Sequence, residues 1–122
     1  MHKNNLIIAY MLELNIKLNN PPADVAVANM LIEVERLAQF GEPLLKIVHG
    51  YGSNNIGGTI KKQALQKLAA LKRQNKIAGF FPCEQLNTTT EEYKTLIKKY
   101  PELILDPDLL NKNPGITLIL LK

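Results

Sequence analysis

His49 opens the one run in the chain whose residue types and spacing suit chemistry: His49-Gly50-Tyr51-Gly52-Ser53-Asn54-Asn55-Ile56-Gly57-Gly58-Thr59. An imidazole in such a place can donate to a phosphate, or serve as acid or base near neutral pH. The bland alternative is a strand-end histidine bonded to a neighbouring carbonyl. Gly50 and Gly52 give backbone that reaches positive φ and approaches a ligand with no Cβ in the way. Gly57 and Gly58 precede an amphipathic helix whose first turn offers unpaired N–H groups and the positive end of its dipole. Lys61 and Lys62 follow directly. Together these groups suit an anion, and a phosphate above all.

Other chemistries find less support. Gly52 to Thr59 has the spacing of the nucleotide-binding G-x-x-x-x-G-K-[ST] loop, but Gly58 stands where the lysine belongs. Without that cation the β- and γ-phosphates lose their main charge partner, which argues against an ATPase. His2 and His49 are the only histidines, and Cys83 is the only cysteine. No zinc-ligand spacing exists, and no resident cofactor is expected. A lone cysteine also excludes an internal disulfide framework and suits a reducing compartment. Glu13 is the one acid on an expected strand near the loop. A triad of Ser53, His49 and Glu13 has no spacing to support it.

The elements that must position this loop follow from periodicity. Leu6 to Ile16 reads as a strand, alternating at its end. Asn19-Asn20-Pro21-Pro22 is a helix start, and Val27, Met30, Leu31, Val34, Leu37 and Ala38 recur at helical spacing until Gly41 and Pro43. Leu44 to Val48 is the second strand, so a βαβ unit with two parallel strands is expected. A second helix from about Thr59 to Asn75 places Ile60, Ala64, Leu68 and Leu71 in one sector and most of its lysines on the other. Lys76 to Cys83 reads as a third strand whose Pro82 places its end at a sheet edge or a bulge. Thr88 with Glu91, and Thr89 with Glu92, have capping-box spacing for a third helix ending at Pro101. Glu102 to Asn113 reads as a loop with one short turn at Asp106-Pro107. Pro114-Gly115 turns into Ile116 to Leu121, apolar enough to be covered on both faces. The whole predicts a single α/β domain over 1–122: a two-layer sandwich with a mixed sheet of about four strands. Its core is 11–83 and 114–122, with a helical insertion at 84–113.

The net charge is +4, and its excess is local. Lys61, Lys62, Lys67, Lys72, Arg73 and Lys76 occur between residues 61 and 79 with no acid among them. Such a patch beside the glycine loop suggests a polyanionic partner, though a solvated helix face would have the same composition. Tyr51 is the only aromatic in the loop, so base stacking has one candidate. No apolar run is long enough for a membrane helix, and the Leu6 to Leu12 run lacks a cleavage site, so a cytoplasmic protein is expected.

Val48-His49-Gly50-Tyr51-Gly52, followed by Gly57-Gly58-Thr59-Ile60-Lys61, resembles the H-G-x-G loop and following helix of the small MutS-related (Smr) domain. Asn113-Pro114-Gly115-Ile116-Thr117-Leu118 is similar to the glycine turn and last strand of that domain. The order of elements agrees from about residue 11 onward, and 84–113 resembles an insertion of some bacterial members. The resemblance implies a fold like the C-terminal domain of translation initiation factor 3. It also implies nucleic-acid binding, with cleavage of DNA or RNA in several members and a divalent metal where cleavage occurs. Carried over, His49, Gly50 and Gly52 form the motif at the active surface, and the loop and basic helix add Tyr51, Ser53, Gly57, Gly58, Lys61 and Lys62 as expected nucleic-acid contacts. The second motif of the family, L-D-x-H, matches Leu12-Glu13-Leu14-Asn15. Glu13 keeps the carboxylate, but Asn15 cannot take up a proton as histidine does, so binding is expected ahead of cleavage. The rivals are an endonuclease that uses Glu13 and His49, and a protein-interaction module for an acidic partner.

Overall fold

The computed structural model describes residues 11–51 and 56–121. Strand β1, Leu12–Asn15, ends where the Asn15 side chain accepts from Lys17 N–H at 3.1 Å, and Leu6 to Tyr10 of the expected strand lie outside the described residues. Asn19 and Asn20 then take left-handed φ values of 65° and 49°, a conformation asparagine tolerates better than most residues. Pro22 leads into helix α1, Ala23–Gln39. At its end Gly41 takes φ +82° and donates to Ala38 O, while Glu42 N–H donates to Leu37 O. That pair of bonds is the Schellman ending, and the open space around Gly41 shows that φ alone demands glycine there.

Strand β2, Leu44–Val48, pairs in parallel with β1, as the βαβ pattern requires. Helix α2, Ile56–Arg73, begins three residues before the expected Thr59. It ends in the same way as α1, with Asn75 at φ 60° and Lys76 N–H donating to Leu71 O. Strand β3 is only Gly79–Pro82, shorter than expected because that ending consumes Gln74 to Lys76. Strand β4, Ile116–Leu120, inserts between β2 and β3 and runs antiparallel to both. The sheet order is β1-β2-β4-β3, which puts Pro82 on an edge strand, where its missing N–H costs no ladder bond.

Alternation along the strands divides the core in two. On one face, Leu45, Ile47, Ile119 and Leu121 meet Met30, Val34, Ile60 and Leu68 of α1 and α2, which is the expected sandwich. On the other face, Leu44, Ile116 and Leu118 meet Cys83, Leu86, Leu96, Leu103 and Leu109. The 84–113 segment is therefore the cover of the second face, and the double burial of β4 follows from it. The segment holds a 3-10 turn at Cys83–Gln85, helix α3 at Glu91–Lys99, a second 3-10 stretch at Pro101–Leu105 and helix α4 at Pro107–Leu110. Neither expected capping box forms. Asn87 Oδ1 takes both the N–H and the hydroxyl of Thr89, so Thr90 caps α3 by accepting from Tyr93 N–H at 3.2 Å.

Because Leu96 is 1% exposed and Leu105 is 63% exposed, the two report on whether this cover is integral. Leu96→Ala is expected to cost about 2–5 kcal/mol in urea unfolding, with Leu105→Ala within about 0.5 kcal/mol of wild type. Equal, small effects would mean that the segment folds apart from the sheet.

Candidate functional site

His49 lies just beyond β2, on the α1/α2 face that Leu45 and Ile47 also occupy. It is wholly buried. Its ring nitrogens are both engaged: Nδ1 lies 2.7 Å from Gly50 O, and Nε2 lies 2.7 Å from Thr117 Oγ1. A carbonyl only accepts, so Nδ1 carries the proton and the Thr117 hydroxyl donates to Nε2. Burial pushes the His49 pKa down, the Gly50 carbonyl opposes it, Lys61 lowers it further, and Glu84 opposes. The side chain expected to meet a ligand is instead a neutral imidazole that ties β2 to β4.

The glycines around it serve the same junction. His49 N–H and Gly50 N–H both donate to Gly115 O, at 3.0 and 3.1 Å. Gly50 takes φ +69°, and a Cβ added at Gly115 would lie 3.2 Å from Gly50 Cα. The absence of a side chain at Gly115 thus lets the two backbones lie close, while Gly50 is suited to its positive φ. Tyr51 is 60% exposed beside this crossing. Gly52 and Ser53 lie outside the described residues. Gly57 and Gly58 fall inside the first turn of α2.

Glu13 is not brought to His49. It stands opposite Lys46 in the β1–β2 register, and alternation puts that pair on the face away from His49. Asn15 stands opposite Val48 on that same face. Lys61 departs from expectation too. Its ammonium pairs with the Glu84 carboxylate, and its side chain is only 14% exposed. The acid comes from beyond the 61–79 window, where the charge count along the sequence could not see it. Lys62, Lys67, Lys72, Arg73 and Lys76 are exposed, and none of them enters an ion pair among the described residues.

One polar constellation was missed. Lys46 Nζ, 7% exposed on an otherwise apolar strand, donates to Asp106 Oδ1 and Oδ2 at 3.1 and 2.9 Å and to Asp108 Oδ2 at 2.7 Å. Asn113 Nδ2 donates to Asp108 Oδ1 at 2.9 Å, and Gly115 N–H donates to Asn113 Oδ1 at 2.9 Å. Asp106 also caps α4 by accepting from Asp108 N–H. Burial alone would lower the Lys46 pKa, but the bonds from Asp108 and Asp106 overcome it and hold it above the ordinary lysine value. Burial likewise works to raise Asp108, and the bonds from Lys46 and Asn113 reverse it, leaving its pKa lowered. The sequence signal was a lysine amid Leu44-Leu45-Lys46-Ile47-Val48, with Asp106-Pro107-Asp108 as a remote match. Nearby Cys83 is buried, and that burial, with Asp108 and Asp106 adding to it, pushes its thiol up to about 12. Such a thiol is unreactive at neutral pH.

Among the described residues, no group of three or more His, Cys, Asp or Glu is placed to hold a metal, and no helix is long and apolar enough to cross a membrane. No family model, curated protein or solved structure matches this chain.

Two outcomes follow from these buried groups. His49 is neutral when folded and takes up a proton more readily when unfolded. Its contribution is therefore complete above its unfolded pKa near 6.5 and declines as pH falls toward the lower folded value. Over that window stability should drop by up to about 1.4 kcal/mol per pH unit. His49→Gln should flatten this part of the profile, as read by urea unfolding between pH 7 and about 5. Lys46→Met leaves two carboxylates facing an apolar side chain, and should cost about 3–5 kcal/mol at pH 7. Part of that loss should return on acidification, because Asp108 without Lys46 protonates more readily. An unchanged unfolding midpoint at pH 7 would show that the cluster contributes nothing.

Proposed function

We propose that the protein binds nucleic acid through the exposed basic face of α2, with the exposed Tyr51 as a stacking candidate, and that it binds without cutting. The observation that carries this reading is the state of the cations. Lys62, Lys67, Lys72, Arg73 and Lys76 are exposed, and no acid of the described residues pairs with any of them. At 100° per residue, Lys62 and Arg73 point most directly away from the buried Ile60, Ala64 and Leu68, with Lys67 and Lys72 on either flank. Cations left unpaired along about 17 Å of helix suit a polyphosphate track, since each can neutralise a phosphate and release condensed counterions. Contacts of this kind position a nucleic acid without reading its sequence. Binding without cleavage is supported by the burial of His49, by Glu13 standing on the other face of the sheet, and by asparagine at position 15.

The test is a salt titration on single-stranded and duplex probes of unrelated sequence. Lys62→Gln with Arg73→Gln should make the slope of log affinity against log salt shallower by about one to two units, and weaken every probe alike. Both residues are exposed, so the unfolding temperature should hardly change. Lys94→Gln with Lys98→Gln on α3 is the control. An equal change of slope in the control would remove the basic face of α2 as the binding surface. Tight binding to a polyglutamate peptide, with none to nucleic acid, would favour an acidic protein partner instead.

A further inference from the structure

Helix α1 has a second apolar face that nothing in the described chain covers. Its inward positions are Ala26, Val27, Met30, Val34 and Leu37. On the outer side, Val25, Asn29, Ile32, Arg36 and Phe40 fall in a sector about 80° wide at 100° per residue. Val25, Ile32 and Phe40 are exposed to 46%, 62% and 73%. Scattered exposed hydrophobics are ordinary, but three in register on one helix are not a solvated face.

The order along this stripe reads the same in both directions: apolar Val25, polar Asn29, apolar Ile32 at the middle, polar Arg36, apolar Phe40. Val25 and Phe40, and likewise Asn29 and Arg36, lie at equal distances from a point between Ile32 and Glu33. A two-fold axis through that point would therefore set Val25 against Phe40 of a second copy, Asn29 against its Arg36, and Ile32 against its Ile32. Self-complementarity of this kind is what an isologous contact requires. Charge agrees with it. Arg36 bonds Glu33 within its own helix and lies over the Phe40 ring at 5.6 Å. Near the axis each guanidinium also faces the carboxylate of the other copy, and the antiparallel arrangement sets opposite helix ends together. The acids Asp24, Glu33 and Glu35 around the stripe disfavour an anionic membrane or a nucleic acid as its cover.

We propose that the outer face of α1 is a self-association surface, on which a second copy of this chain docks with its α1 antiparallel about Ile32. This does not depend on the nucleic-acid reading, because the basic face belongs to α2. A pair of helices in contact over about 22 Å buries less than a standard interface, so the dimer is weak, with a dissociation constant on the order of 10–100 μM.

Sedimentation of the whole protein over about 5–500 μM should show the average mass rising from monomer toward dimer. Ile32→Glu, at an exposed position that leaves folding intact by circular dichroism, should weaken association at least about tenfold. Geometry is read by oxidative cross-linking with copper–phenanthroline. Ile32→Cys should give a covalent dimer, Val25→Cys alone should not, and Val25→Cys with Phe40→Cys in one chain should. Buried Cys83 does not compete. A monomeric mass throughout would overturn the proposal. So would cross-linking of Val25→Cys as fast as Ile32→Cys, which means parallel pairing. Equal cross-linking of Lys98→Cys on α3, which means random collision, would overturn it as well.

Discussion

A buried cation holds this fold together. Lys46 sits on the strand next to the sheet's centre, among leucines, and is neutralised by two carboxylates from a segment some 60 residues away in sequence. From that ammonium a continuous path of hydrogen bonds runs through Asp108 and Asn113 to Gly115 N–H, and the Gly115 carbonyl then receives the N–H groups of His49 and Gly50. The glycine crossing, the buried imidazole and the cover of the second sheet face therefore share one support. Buried ion pairs are weak evidence of stability by themselves, since desolvation opposes the attraction. Their value here is geometric. The bonds from Lys46 to Asp106 and Asp108, and from Asn113 to Asp108, tie α4 to the turn that enters β4.

Much of the architecture was legible because it depends on neighbours in sequence. The parallel β1–α1–β2 unit follows from helical spacing between two apolar runs, and the proline of β3 correctly announced an edge. What failed depended on distant partners. Periodicity cannot tell which acid lies beside Lys61, so a lysine paired to Glu84 was counted with the free cations. The cap of α3 moved to Thr90 because Asn87, a residue without a role in the capping-box pattern, captured Thr89. The cover over the second sheet face was visible only indirectly, in a final strand too apolar on both sides to be half-solvated.

The His49 region shows how one pattern admits two physical meanings. A histidine followed by glycines at a strand end fits a phosphate cradle, and it fits equally well a tight crossing of two chains. The second is the arrangement seen among the described residues. An imidazole whose two nitrogens are satisfied by Gly50 O and the Thr117 hydroxyl has nothing left to offer a ligand while the crossing is closed. Tyr51 is exposed beside this crossing.

The position of β4 has a consequence for how the protein is made. This strand lies between β2 and β3, yet it follows both in the chain. Until it emerges from the ribosome, β2 and β3 each carry a row of backbone donors and acceptors with no neighbour to take them. At roughly 5–20 residues per second, the interval between the end of β2 and the arrival of Ile116 is about 3–14 s. Throughout it the nascent β2 edge is open to strand addition from any other chain. A lysine in the middle of that strand is, until Asp106 and Asp108 are made, a positive charge on the open strand. Charge on an open strand disfavours pairing with other chains, and here the same residue ends as the anchor of the finished core.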